Sequence, residues 1–259
     1  MAVREALSRV RDRWHAVTGH RAQPFLILFE GRSGSTYIVQ RLDAHPALVC
    51  GGEWIETRAG RSPAEQRAFA EAYWTRRRAR GVRAAGMKTK LRHLLDADDF
   101  RGLLDGLGVR VVLLTRRNLV KWAVSGIASL RLNERLGRAY VRTPDERLPP
   151  FAIAPEELDA AIADRRQWTR DLEEYAARLR GPVLHAAYED MQADEAAFFA
   201  RLFAFLGVPD LPTRSGIIKA TPEELGEMVT NIDELRARYA GSELHAQFDA
   251  RPGDGAAAG

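Results

Sequence analysis

Ten consecutive residues gather the groups that hold a phosphate: Glu30-Gly31-Arg32-Ser33-Gly34-Ser35-Thr36-Tyr37-Ile38-Val39. The apolar run Phe25–Phe29 before them predicts a strand, and Ile38 and Leu42 begin a helical apolar pattern after them. A strand, a glycine-bearing turn rich in hydroxyls and a helix start aim backbone N–H groups and a helix N-terminus at an anion. A second cluster has the same plan. Residues 109–115 predict a buried strand ended by Arg116-Arg117-Asn118, after which Val120, Ala123, Val124, Ile127 and Leu130 recur at helical spacing. Arg117 and Ser125 stand eight positions apart, one at the strand end and the other two turns into the helix. Such a pair suits a second phosphate, the arginine by charge-assisted bonds and the serine by a further donor. Arg116 competes for that place, and the spacing favours Arg117.

The first loop carries Gly34-Ser35-Thr36 where a Walker loop carries Gly-Lys-Ser/Thr, and its nearest cation is Arg32, before the glycine. A phosphate cradle without that lysine points to a nucleotide other than ATP. The stretch Arg117-Asn118-Leu119-Val120-Lys121-Trp122-Ala123-Val124-Ser125 resembles the 3′-phosphate motif of sulfotransferases that use 3′-phosphoadenosine 5′-phosphosulfate (PAPS). Arg32–Tyr37 resembles their 5′-phosphosulfate loop. Gly86-Met87-Lys88-Thr89 and Tyr188-Glu189-Asp190-Met191 fall in the family's order. The resemblance is to bacterial enzymes of the trehalose 2-sulfotransferase type and runs over about residues 24–248.

That resemblance implies a P-loop-like fold and a set of roles. Arg32 would meet the 5′-phosphate and the bridging oxygen. Ser33, Gly34, Ser35 and Thr36 would donate to the 5′-phosphate, with Tyr37 closing the donor loop. Lys88 would reach the sulfuryl group, Arg117 and Ser125 would hold the 3′-phosphate, and Tyr188 would lie against the adenine. PAPS is the implied donor, no metal is implied, and relatives of this type suggest a homodimer. Small-molecule members carry a histidine base in a Lys-Thr-His segment; this chain reads Lys88-Thr89-Lys90 there, and a lysine at its ordinary pKa is protonated and a poor base. Carbohydrate-type members place a glutamate after a His-Pro; here His45-Pro46 leads to Gly51-Gly52-Glu53-Trp54, which makes Glu53 the expected base. Glu56 and His93 are the competing candidates, and His45 reads as structural.

The elements that must position these residues are strands expected at 25–29, 47–50, 83–88, 109–115 and 182–187, separated by helices. That alternation predicts an α/β chain with a parallel sheet flanked by helices on both faces. No repeat or linker interrupts it, so residues 1–259 read as one domain, with a disordered tail over about 250–259 that includes Gly253–Gly259. Ser62-Pro63-Ala64-Glu65 and Thr221-Pro222-Glu223-Glu224 have the pattern of capping boxes, the first opening a helix expected to reach Gly81. Further helices are expected from Pro155 to Gly181 and from Phe198 to Gly207. Residues 137–154, with three prolines and no periodicity, are expected to form an acceptor lid.

Composition excludes several classes of function. Lys+Arg 39 against Asp+Glu 35 leaves only +4, no demand for a polyanionic partner. Lys88, Lys90, Lys121 and Lys219 are the only lysines, and all fall in or beside the family segments. Cys50 stands alone, so no intrachain disulfide forms, and Glu56 occupies the place of a phosphatase arginine. No apolar stretch approaches the roughly 20 residues of a membrane span, and Met1–Val17 is charged and amphipathic rather than a signal peptide. The expected location is the cytoplasm, with no membrane and no nucleic acid as partner. Arg76-Arg77-Arg78-Ala79-Arg80 reads as the cationic end of the 63–80 helix. The sequence therefore reads as a sulfotransferase acting on a hydroxyl of a carbohydrate, a glycosylated or another small metabolite. A P-loop-like kinase or NTPase and a non-catalytic nucleotide-binding module are the alternatives.

Overall fold

The computed structural model describes residues 19–138, 141, 143–217, 222 and 224–250. In chain order the strands are β1 (His20–Arg21), β2 (Gln23–Phe29), β3 (Leu48–Gly51), β4 (Arg77–Arg78), β5 (Ala84–Thr89), β6 (Arg110–Thr115) and β7 (Val183–Ala187). Five of them form one sheet in the order β3-β5-β2-β6-β7, every neighbouring pair parallel. Phe25–Phe29 of the central strand are all buried, as a strand covered on both faces requires. Side chains alternate across a strand, so one apolar run feeds two cores. Phe25, Ile27 and Phe29 pack under α1 (Ser35–Asp43) and α8 (Glu195–Leu206) through Ile38, Leu42, Phe199 and Phe203.

Leu26 and Leu28 face the opposite way. With Met87 they meet Trp74 of α3 (Pro63–Thr75), Phe100 and Leu103 of α4 (Ala97–Leu107) and Tyr175 of α6 (Pro155–Ala177). The long α5 (Leu119–Leu136) packs on α6 through Val120, Val124 and Ile127 against Leu158 and Ile162. Short helices α2 (Trp54–Arg58), α7 (Tyr188–Ala193) and α9 (Ile232–Arg238) complete the described helices. No helix among the described residues is long and apolar enough to cross a membrane.

Parallel strands end on the same side, where open α/β sheets build their sites. Glu30–Gly34 comes after β2, Glu53 after β3, Lys90 after β5, Arg116–Asn118 after β6, and Tyr188 after β7. The topology alone therefore collects the four sequence motifs at one sheet edge.

Two sequence expectations change. The helix opened by the Ser62–Glu65 capping box, which forms, ends at Thr75 rather than Gly81. Arg77–Arg78 instead pairs antiparallel with His20–Arg21, so the basic run is strand and turn, not a helix end. Thr221 and Glu223 lie outside the described residues, and a 3₁₀ turn at Leu225–Glu227 follows them. Of the expected lid, residues 139, 140 and 142 lie outside the description; the remainder holds a 3₁₀ turn at Pro144–Glu146 and a bridge from Phe151 to Val229. The Met1–Val17 segment and the Gly253–Gly259 tail also lie outside it.

Gly86 shows how tightly β5 meets β2. A Cβ there would lie 2.4 Å from the Phe25 carbonyl oxygen and as close to its ring. Gly86→Ala must spread the strands and is expected to cost about 1–3 kcal/mol, as overpacked cores do. A denaturant midpoint equal to that of the unmodified protein would contradict this packing.

Candidate active site

The loop after β2 is shaped by two left-handed residues, Arg32 (φ 70) and Gly34 (φ 82). Arg32 is the only non-glycine residue with positive φ among those described. Gly34 is obligatory for a second reason: a Cβ there would sit 2.7 Å from Cδ2 of Tyr188. Ser33 folds its hydroxyl back to donate to the Glu30 carbonyl (2.7 Å), and the Trp122 indole N–H donates to the Gly31 carbonyl (2.6 Å). These two bonds fix the turn so that α1 starts at Ser35. No side chain caps that start, which leaves the first-turn N–H groups for an external anion.

Arg32 is bonded through Nε to the Ser125 hydroxyl (3.2 Å). Burial and the neighbouring Arg116 both disfavour its charge, so positive potential is concentrated where an anion would relieve it. Arg117 and Ser125, expected at one phosphate, bond to different partners. The Arg117 guanidinium turns outward to Asp190 (2.5 Å), while the backbone N–H groups of Arg117 and Asn118 donate to the two oxygens of Glu189 (2.9 and 3.0 Å). Ser125 thus partners the loop after β2 rather than Arg117, and Arg116, 7% exposed, is the arginine that turns inward. Tyr37 lies on the other side of α1, donating to Glu195 (2.9 Å) and accepting from Arg41 (3.0 Å).

Lys88 joins the two halves of the site. Its register opposite Ile27 brings Nζ to the hydroxyls of Ser35 (3.1 Å) and Thr36 (3.0 Å), over the face of Phe29. The same ammonium lies 3.4 Å from Glu53 Oε1, and Lys90 Nζ lies 2.8 Å from Oε2. Gly51 makes this possible, because a Cβ there would enter the Trp54 ring at 2.6 Å. Burial pushes the Glu53 carboxyl up, but the bond from Lys90 and the charge of Lys88 outweigh it and hold its pKa below the ordinary value. Burial lowers Lys88, against the pull of Glu53.

His93 Nδ1 lies 3.3 Å from Glu56 and 4.0 Å from Glu53. Ligand-type atoms of Glu53, Glu56 and His93 fall within 4.8 Å of one another, yet both Glu53 oxygens already face ammonium groups. Two residues escaped the sequence reading. Glu30, 2% exposed, keeps its pKa raised by burial and lies 3.3 Å from Arg92; Trp122 ties the loop to α5. A carboxylate closing an apolar strand immediately before a phosphate loop was the available signal for Glu30.

The chain is 25% identical over 251 residues to nodulation protein H of Rhizobium tropici, a match that covers 88% of this chain and 93% of that protein. The chain is thus similar to transferases of the sulfotransferase type. Similar solved structures include a sulfotransferase from Alicyclobacillus acidocaldarius (16% identity, TM-score 0.45, 88% of this chain and 96% of that one). Another is mouse sulfotransferase SULT7A1 complexed with PAP (11%, 0.43, 88% and 73%). No family model matches the chain.

The clamp on Glu53 has a pH signature. A carboxyl whose folded pKa is depressed adds stability above its unfolded value, about 4.3, and loses it as pH falls through the folded value. Lys90→Met is therefore expected to lower stability near neutrality, with the difference from the unmodified protein shrinking below about pH 4. A difference in denaturant midpoint that is constant across that range would contradict the clamp.

Proposed function

We propose that this sulfotransferase moves a sulfuryl group from PAPS to a hydroxyl of a carbohydrate, a glycosylated or another small metabolite. The observation that carries the reading is the single chain of contacts from the donor loop to the acceptor side: Ser35 and Thr36 to Lys88, and Lys88 to Glu53. A group in transit between donor and acceptor passes beside Lys88. In the reaction so read, the acceptor oxygen attacks sulfur in line, Glu53 takes its proton, and the bridging oxygen departs with the 5′-phosphate of adenosine 3′,5′-bisphosphate. Lys88 and Arg32 stabilise the charge on the sulfuryl oxygens and the departing phosphate, electrostatic work of the kind that dominates phosphoryl transfer. Fixed cations supply this charge, so the proposed reaction uses no metal.

Arg117 and Ser125 are assigned to the 3′-phosphate on the resemblance. For Arg117 this assignment has the side chain exchange Asp190 for the phosphate when donor arrives. Tyr37 and Tyr188 flank the nucleotide in the same reading. Residues 24–248 act as one catalytic domain, in the cytoplasm, and the resemblance extends to a homodimer.

The direct assay supplies PAPS and a panel of hydroxylated metabolites and tracks product by a mass gain of one SO3 group. With an acceptor in hand, Glu53→Gln is expected to cut turnover by about 10²–10⁴-fold, the usual worth of a general base. Binding of the bisphosphate product should change little. Retained turnover would move the base to Glu56 or His93. Arg117→Ala should weaken the bisphosphate about ten- to a hundredfold while sparing adenosine 5′-phosphosulfate, since the lost bonds are charge-assisted and read only the 3′-phosphate. Equal losses for both ligands would remove Arg117 from that role.

A further inference from the structure

Arg116 has no part in the proposed reaction, yet it is buried at the edge of the donor loop. Its guanidinium lies over the Tyr188 ring, 4.5 Å from the centroid, and Nη1 donates to the Arg32 carbonyl (3.0 Å). The Tyr188 ring in turn stands against Gly34, where there is no room for a Cβ. Both left-handed residues of the loop are thus touched by one assembly: Arg32 through its carbonyl, Gly34 through the tyrosine. Left-handed backbone is unfavourable for a side-chain-bearing residue and persists only where its surroundings over-determine it. A cation over an aromatic face adds attraction of its own.

We propose that Arg116 is a positioning residue of the donor loop, bracing Arg32 in its left-handed conformation and pressing Tyr188 onto Gly34. The inference rests on the donor reading of residues 32–36. Fixing the Arg32 carbonyl fixes the next peptide plane, and with it the direction in which the N–H groups at the start of α1 point. Arg116 therefore acts on every ligand that carries a 5′-phosphate and reads no 3′-phosphate. Arg117, one position on, discriminates between the two phosphates; Arg116 sets the shape of the site that receives the first.

The test uses the full chain, with calorimetry against adenosine 3′,5′-bisphosphate and AMP at a temperature where each variant is folded. Arg116→Ala is expected to weaken both ligands by the same factor, about tenfold, as loss of a charged hydrogen-bond partner does. Arg116→Lys, which keeps a cation over the ring and one donor, should recover most of that loss. A ligand-free readout accompanies it: Gly34 Hα resonances, shifted by the Tyr188 ring current, should move toward ordinary values in Arg116→Ala and return in Arg116→Lys. Unchanged Gly34 resonances would overturn the brace. A loss confined to the bisphosphate would make Arg116 a 3′-phosphate ligand and also overturn it. If the unmodified protein binds neither nucleotide, the donor reading fails, and the Gly34 resonances alone decide whether the brace exists.

Discussion

The structure turns on a backbone constraint: between the end of β2 and the start of α1 the chain must pass through left-handed conformations at Arg32 and Gly34. Only that turn lets α1 start at Ser35 with its first-turn N–H groups uncapped at the sheet edge. The chain meets the constraint from three sides. Ser33 bonds back to Glu30 just past the strand, Trp122 holds Gly31 from α5, and Tyr188 packs against Gly34 from the end of β7. Because these come from separate parts of the chain, the loop cannot relax without disturbing several elements, and it is preorganised before any ligand arrives.

Electrostatics obey the same topology. The parallel sheet delivers Arg32, Lys88, Lys90 and Arg116 to one edge, with Glu53 and Glu30 among the carboxylates beside them. Glu53 faces the lysines, and Glu30 lies nearest Arg92. Arg32 stands beside Arg116 with its charge disfavoured, a state that favours binding a polyanion. The lysine clamp has a second consequence. Glu53 is held ionised, and the very cations that position it lower its basicity. In the proposed reaction that weakness is offset as charge moves from the sulfuryl group onto the departing phosphate and the lysines are drawn toward it.

Much of this was legible in the sequence because the signals were local. Apolar runs marked all five sheet strands to within two residues, and the turn chemistry of 30–36 declared itself through glycine and hydroxyl content. The misreading of the basic run has a physical origin, a partner remote in sequence. Arg76–Arg80 looks like a helix end until His20–Arg21 offers Arg77–Arg78 a strand to pair with. The side-chain partners of Arg117 and Ser125 are likewise remote in sequence. Asp190 holds Arg117 while Arg32 reaches Ser125. Glu30 and Trp122 matter through contacts that only the folded chain creates.

The central claim is that the edge of this sheet is built for two phosphates on one adenosine, without the triphosphate lysine. Calorimetric titration of the unmodified protein with adenosine 3′,5′-bisphosphate, and in parallel with ATP and Mg2+, tests it most directly. The bisphosphate is expected to bind at least about tenfold more tightly than ATP–Mg2+, a single charge-assisted contact being enough for that margin. Tighter binding of ATP–Mg2+ would contradict the account and return the protein to the nucleoside triphosphatases.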